Sequence, residues 1–157
     1  MKLCSFFVTI FLSATLFAQE VSQSEALTLA RNFMSVKASR SISLKPLSFE
    51  TKGLNHMYFF TDENNTSFVV ISAEKAVTPV IAYSFESGLD EQLPLPVQDY
   101  FLGVEAGIVK VINEKSLSDE VITAEWKTLA NRGELPVYVK SAVTPLLTTT
   151  WNQDCYY

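Results

Sequence analysis

Residues 56–72 read HMYFFTDENNTSFVVIS, two short runs of aromatic and β-branched residues around a polar centre. Such runs favour extended backbone, and Asp62-Glu63-Asn64-Asn65-Thr66 supplies the residue types that tight turns use. The stretch therefore predicts an antiparallel hairpin, with strands at His56–Thr61 and Ser67–Ser72. Asn64 and Asn65 each begin an Asn-X-Ser/Thr glycosylation sequon, but a turn between strands draws on these residues anyway, and the turn reading is preferred.

Outward from the hairpin, Val80-Ile81-Ala82-Tyr83 follows Pro79 closely enough to join the same sheet, and Leu47-Ser48-Phe49 is a weaker strand candidate. Before these, Ser22 and Glu25 fit a capping box, with Glu25 reaching back to the cap. Ala26, Leu27, Ala30, Phe33 and Met34 follow at helical spacing, so a helix is expected to end near Ala38. Beyond the strands, Gly88 and Leu93-Pro94-Leu95-Pro96 interrupt regular structure. A helix with Val97, Tyr100, Phe101, Val104, Ile108 and Ile112 comes next, Pro96 suiting its first turn. Another starts at Ser118-Asp119-Glu120, carries Val121, Ile122, Glu125, Leu129 and Ala130, and stops at Gly133 after Arg132. Helix, strands, then helices implies an α+β domain: a small antiparallel sheet of three or four strands with helices packed on one face.

The chain has 157 residues, 48% of them apolar and 18% charged, enough for a packed core. Its net charge of −5 argues against a nucleic-acid partner, which would need a basic face. His56, Cys4 and Cys155 are its sole imidazole and thiols, too sparse for a metal site, and nothing implies a cofactor. Residues 1–18 read as a signal peptide: Lys2, an apolar run from Leu3 to Phe17, and Ala18 ahead of polar Gln19. The apolar run is short for a membrane span, and Leu16 leaves the exact bond open. Secretion, to a bacterial periplasm or outside the cell, is the expectation, with no membrane association after cleavage. Cys4 leaves with this segment, so Cys155 remains as the one mature thiol.

No catalytic set emerges. Cys155 and His56 lie far apart in contexts that do not activate a thiol, and Asp119-Glu120 is explained by its helix start. An enzyme is not expected. From Glu134 the sequence loses helical period, and residues 134–147 read as an extended connector open to proteolysis.

Several stretches, in order, resemble the prodomain of secreted streptopain-like cysteine proteases and the related Spi-type stand-alone inhibitors. They are ARNFMSVKASR; HMYFF; Phe68-Val69-Val70-Ile71-Ser72; Pro79-Val80-Ile81-Ala82-Tyr83-Ser84; Gly88-Leu89-Asp90; and LPVYVKSAVTPLLTTTWNQDCYY. Ser67 and Glu74 depart mildly from the glycine and aspartate usual in the family. The resemblance implies a prodomain-like inhibitor over residues 19–133, an activation-junction-like linker over 134–147 with Lys140, Ser141 and Leu146 at its processing region, and the opening of a protease domain over 148–157. The family's catalytic cysteine and histidine would lie further on, so Cys155 is not the nucleophile.

The implied partner is a streptopain-like protease domain, bound in cis or in trans, and the implied mechanism is occlusion of its active site. By position the occluding loop is Leu89–Val97, centred on Leu93, Pro94, Leu95 and Pro96. Two prolines would stiffen an apolar segment and lower its ordering cost on binding. Equally, Leu93 and Leu95 could cover the core where the sheet hands over to a helix. A different class also fits the leader and architecture: a secreted α+β ligand-binding or adhesion domain.

Overall fold

The computed structural model describes residues 20–48, 53–90 and 92–135. The elements run α1 (Gln23–Ala38), β1 (Leu44–Leu47), β2 (Met57–Asp62), β3 (Phe68–Ser72), β4 (Val80–Ser84), α2 (Leu95–Asn113) and α3 (Glu120–Ala130). The strands form one antiparallel meander in the order β1-β2-β3-β4. This is the α+β class and the antiparallel sheet that the sequence predicts, with the fourth strand at Leu44–Leu47. The candidate at Leu47–Phe49 overlaps it at Leu47, and Phe49 lies outside the described residues. Pro46 is compatible with β1 because β1 is an edge strand, where a missing N–H disturbs no inner ladder.

Register explains the layers. Phe59 faces Val70 and Phe60 faces Val69 across the β2–β3 pair. Side chains alternate along a strand, so these two pairs point to opposite faces of the sheet. Phe60, Val69 and Ile71 pack with Ala26, Leu29, Phe33 and Met34 of α1 and with Trp126 and Leu129 of α3. Phe59, Met57 and Val70 pack instead with Phe101 and Ile108 of α2 and with Leu93. The expectation that all helices share one face is therefore corrected: α2 covers the face opposite α1 and α3. Adjacent Phe59 and Phe60 are both buried, and a sheet with one wet face would not bury both.

The helix ends are built locally. Ser22 caps α1 by accepting the Glu25 N–H at 3.2 Å, but the Glu25 carboxylate does not return to the cap; it pairs with Lys75 at 2.8 Å. Asp119 caps α3 by accepting the Ile122 N–H at 2.7 Å. Gly133 N–H donates to Thr128 O and Arg132 N–H to Leu129 O, a Schellman ending with Arg132 left-handed at φ 57°. Arg132 also donates through Nε to Asn32 Oδ1, while Asn32 Nδ2 donates to Leu129 O, so α1 secures the end of α3. Trp126 Nε1 donates to Val77 O, fastening α3 to the β3–β4 connection.

The β2–β3 turn is closed by Asp62. Its carboxylate accepts from Thr66 N–H and Thr66 Oγ1, both at 2.7 Å, and from Ser67 N–H at 3.0 Å. Desolvation pushes this carboxyl up, but the hydrogen bonds from Thr66 and Ser67 outweigh it and hold it below the usual aspartate range. A lowered folded-state pKa adds stability above the unfolded pKa of about 3.9, and that stability is lost as pH falls through the folded value. Asp62→Asn should thus lower the urea midpoint at pH 7, and the gap to the parent chain should close progressively below about pH 4. A gap that stays constant into strong acid would refute the assignment. Phe101, 2% exposed and set edge-to-face on Phe59 at 5.1 Å, joins α2 to the sheet. Phe101→Ala should cost about 3–5 kcal/mol of unfolding free energy. Leu117→Ala, at a site 83% exposed, should stay within about 0.5 kcal/mol of the parent.

Candidate functional site

The segment between β4 and α2 starts beside the hairpin turn. Asn65, left-handed at φ 53°, accepts the Leu89 N–H at Oδ1, 3.2 Å away. Gly88 packs so closely on Asn65 that a Cβ there would collide with the Asn65 carbonyl and side chain. A glycine at this position is what lets the returning chain lie against the turn. Leu89 then packs, partly buried, on the α2-side core, and Leu93 sits within that core at 2% exposure.

Two residues on, the environment reverses. Leu95 is 73% exposed, and Pro94 and Pro96 on either side of it are exposed as well. Pro94 is the N-cap of α2 and Pro96 lies in its first turn, where a missing N–H leaves nothing unsatisfied. Val97 N–H and Gln98 N–H both donate to Pro94 O, at 2.9 and 3.0 Å, and Gln98 Nε2 donates to Leu93 O at 2.6 Å. The Pro94-Leu95-Pro96 apex is thus held from below by a buried leucine and from behind by a glutamine. The two alternatives left open in the sequence divide between the two leucines: Leu93 covers the core, and Leu95 projects from it.

His56 is engaged elsewhere. Its Nδ1 lies 2.6 Å from Glu105 Oε1, and its backbone N–H donates to Glu105 Oε2 at 3.1 Å. Glu105 is buried on the inner face of α2, so this contact ties α2 to the start of β2. Among the described residues no three His, Cys, Asp or Glu side chains gather to hold a metal ion. Cys4, Cys155, Lys140, Ser141 and Leu146 lie outside the described residues. None of the described helices is long and apolar enough to cross a membrane.

Asn65, Gln98 and Glu105 do the positioning, and the sequence reading did not single them out for it. Gln98 five residues after Leu93 carries a weak signal, since a polar side chain in a first helical turn can reach back to a preceding carbonyl. Asn65 and Glu105 act across long sequence separations and leave no local pattern.

No curated protein and no solved structure matches the chain. A family model does, the Spi protease inhibitor family, over residues 18–103. The match covers more than half of the chain and takes in α1, the whole sheet, the apex and the first turns of α2. The chain belongs to the Spi protease inhibitor family.

Proposed function

We propose that this chain is a secreted inhibitor that occludes the active site of a streptopain-like cysteine protease, with Pro94-Leu95-Pro96 as the inserting apex. The observation that carries the reading is the exposed Leu95 between two exposed prolines, on a segment anchored by buried Leu93 and by Gln98. A leucine held clear of the core by rigid neighbours loses little freedom on binding, so more of its burial appears as affinity. The family match supplies the class of partner, a protease, and its residues include the apex.

Around this core reading stand the finer ones. Residues 1–18 act as the signal peptide, which places the mature domain in the periplasm or outside the cell. Residues 19–133 form the inhibitory domain, and residues 134–147 form the linker, cut near Lys140, Ser141 or Leu146. Residues 148–157 are the opening of a protease domain. Under this reading the protein is not itself an enzyme: it blocks a catalytic cysteine and histidine that belong to its partner, in cis or in trans.

The test is an inhibition assay of residues 19–157 against a streptopain-like protease, with competitive inhibition expected. Changing Leu95 to Ser together with Pro94 and Pro96 to Gly should weaken inhibition by about 10- to 100-fold. Leu95→Ser alone should leave the thermal midpoint nearly unchanged, because Leu95 is exposed. Leu93→Ala should do the reverse in kind, costing about 2–5 kcal/mol of stability because it empties a core site. Full protease activity at saturating inhibitor would overturn the proposal. Equal inhibition by the parent and the apex variant would move the contact surface elsewhere.

A further inference from the structure

Thr123, Trp126, Lys127 and Ala130 are spaced three, four and seven residues apart from the first, so all four share one face of α3. Glu25 and Leu29, four apart, share a face of α1 in the same way. Where these faces meet, Ser118 and Lys75 complete the lining of an open hollow of about 360 Å³. That volume falls at the lower end of the range usual for small-molecule sites, about 300–1,000 Å³. Buried Leu29 and Trp126 give it apolar wall, and Ala130 contributes only a methyl group where a larger side chain would take up the space. Trp126 is not free to swing in and fill it. Its Nε1–H donates to Val77 O at 2.9 Å, and the residue is 7% exposed.

The polar groups on this wall are matched except for one charge and one hydroxyl proton. Lys75 is paired with Glu25 at 2.8 Å. Lys127 makes no ion pair among the described residues, which leaves the lining with one surplus positive charge. The Ser118 and Thr123 hydroxyls lie 3.0 Å apart, both half-buried. One proton lies between them, so whichever hydroxyl accepts keeps its own O–H to donate elsewhere. Apolar wall, an unmatched ammonium and a spare hydroxyl donor are the complement of a carboxylate on an apolar body. We propose that this hollow between α1 and α3 binds a small arylalkyl carboxylate, with Lys127 as its counter-ion.

Each part of such a ligand answers one part of the lining. Its ring gains area and aromatic contact against Trp126 and Leu29. Its carboxylate goes to Lys127 rather than Lys75, because Glu25 already holds the Lys75 ammonium. A neutral analogue of the same shape would bury the same apolar area and leave the Lys127 charge unmatched. Because α1 and α3 both contribute wall, an occupied hollow favours the folded domain by mass action. These helices cover the sheet face opposite α2, so the hollow is separate from the Leu95 apex. The inference rests on the α1–α3 junction and does not depend on the protease reading.

Titration of residues 19–157 with phenylpropionate, followed by residue-resolved NMR, tests it. The expected result is saturable shifts centred on the Trp126 indole N–H and the amides of residues 123–130, with a Kd of about 1 mM or tighter. Phenylpropanol, matched in shape but uncharged, should bind at least about 10-fold more weakly. Lys127→Ala should weaken phenylpropionate binding by at least about 10-fold, and Lys127→Arg should keep it within about 3-fold of the parent. Ala130→Phe should remove binding by filling the hollow. Lys127 and Ala130 are both exposed, and unchanged β2 and β3 amide shifts in each variant would show that the fold persists. Absence of saturable shifts up to about 10 mM phenylpropionate would overturn the proposal. So would equal affinity for the alcohol, or binding that Lys127→Ala and Ala130→Phe both leave intact.

Discussion

Phe59 and Phe60 are neighbours in β2, and both are buried. Consecutive strand residues point to opposite faces, so this pair requires the sheet to be covered on both sides. Val69 and Val70, opposite them in β3, repeat the demand. One cover is the pair α1 and α3; the other is α2, held by Phe101 on Phe59 and by Glu105 on His56. Ile108 and Leu93, packed with Met57 and Val70, complete this second cover. The start of α2 carries Pro94, Leu95 and Pro96, so the exposed apex is located by this packing together with its own anchors, Leu93, Gln98 and the Asn65–Leu89 contact.

This chain of dependence also separates what the sequence displays from what it conceals. The hairpin was legible because its strand propensity and turn chemistry are both local, and the bounds at Met57–Asp62 and Phe68–Ser72 follow the quoted runs within a residue. The α1 stripe and its Ser22 cap were legible for the same reason. The two-sided burial was also written in the sequence, in the unbroken apolar runs MYFF and FVVI. Helix order alone suggested one-sided cover, and the absence of alternation was the stronger signal. The strand candidate at Leu47–Phe49 falls a few residues after β1, whose Pro46 is suited to an edge that only the sheet order reveals.

The leucines of the apex show a harder limit. Leu93 and Leu95 are the same residue type, two apart and each next to Pro94. Their separation into 2% and 73% exposure comes from the loop's path from Asn65 to α2 and from no local pattern. Contacts such as Asn32 with Arg132, or Glu25 with Lys75, join distant parts of the chain and are likewise invisible before the fold is known. Local chemistry announces elements, whereas which residue of an element reaches solvent is decided by distant partners.

The outer face of α2 extends the same logic. Phe101, Glu105 and Ile108 form the buried stripe of α2; Tyr100, Leu102 and Val109 flank it and are exposed, while Asp99, Gly103, Ala106 and Lys110 face away from the sheet. Its inner side is committed to Phe59 and His56, and the exposed apolar residues border that contact. Exposed apolar surface of this kind favours association. The helix that closes the core also carries the exposed Leu95 in its first turn, so the stability of the domain and the position of that leucine have one origin.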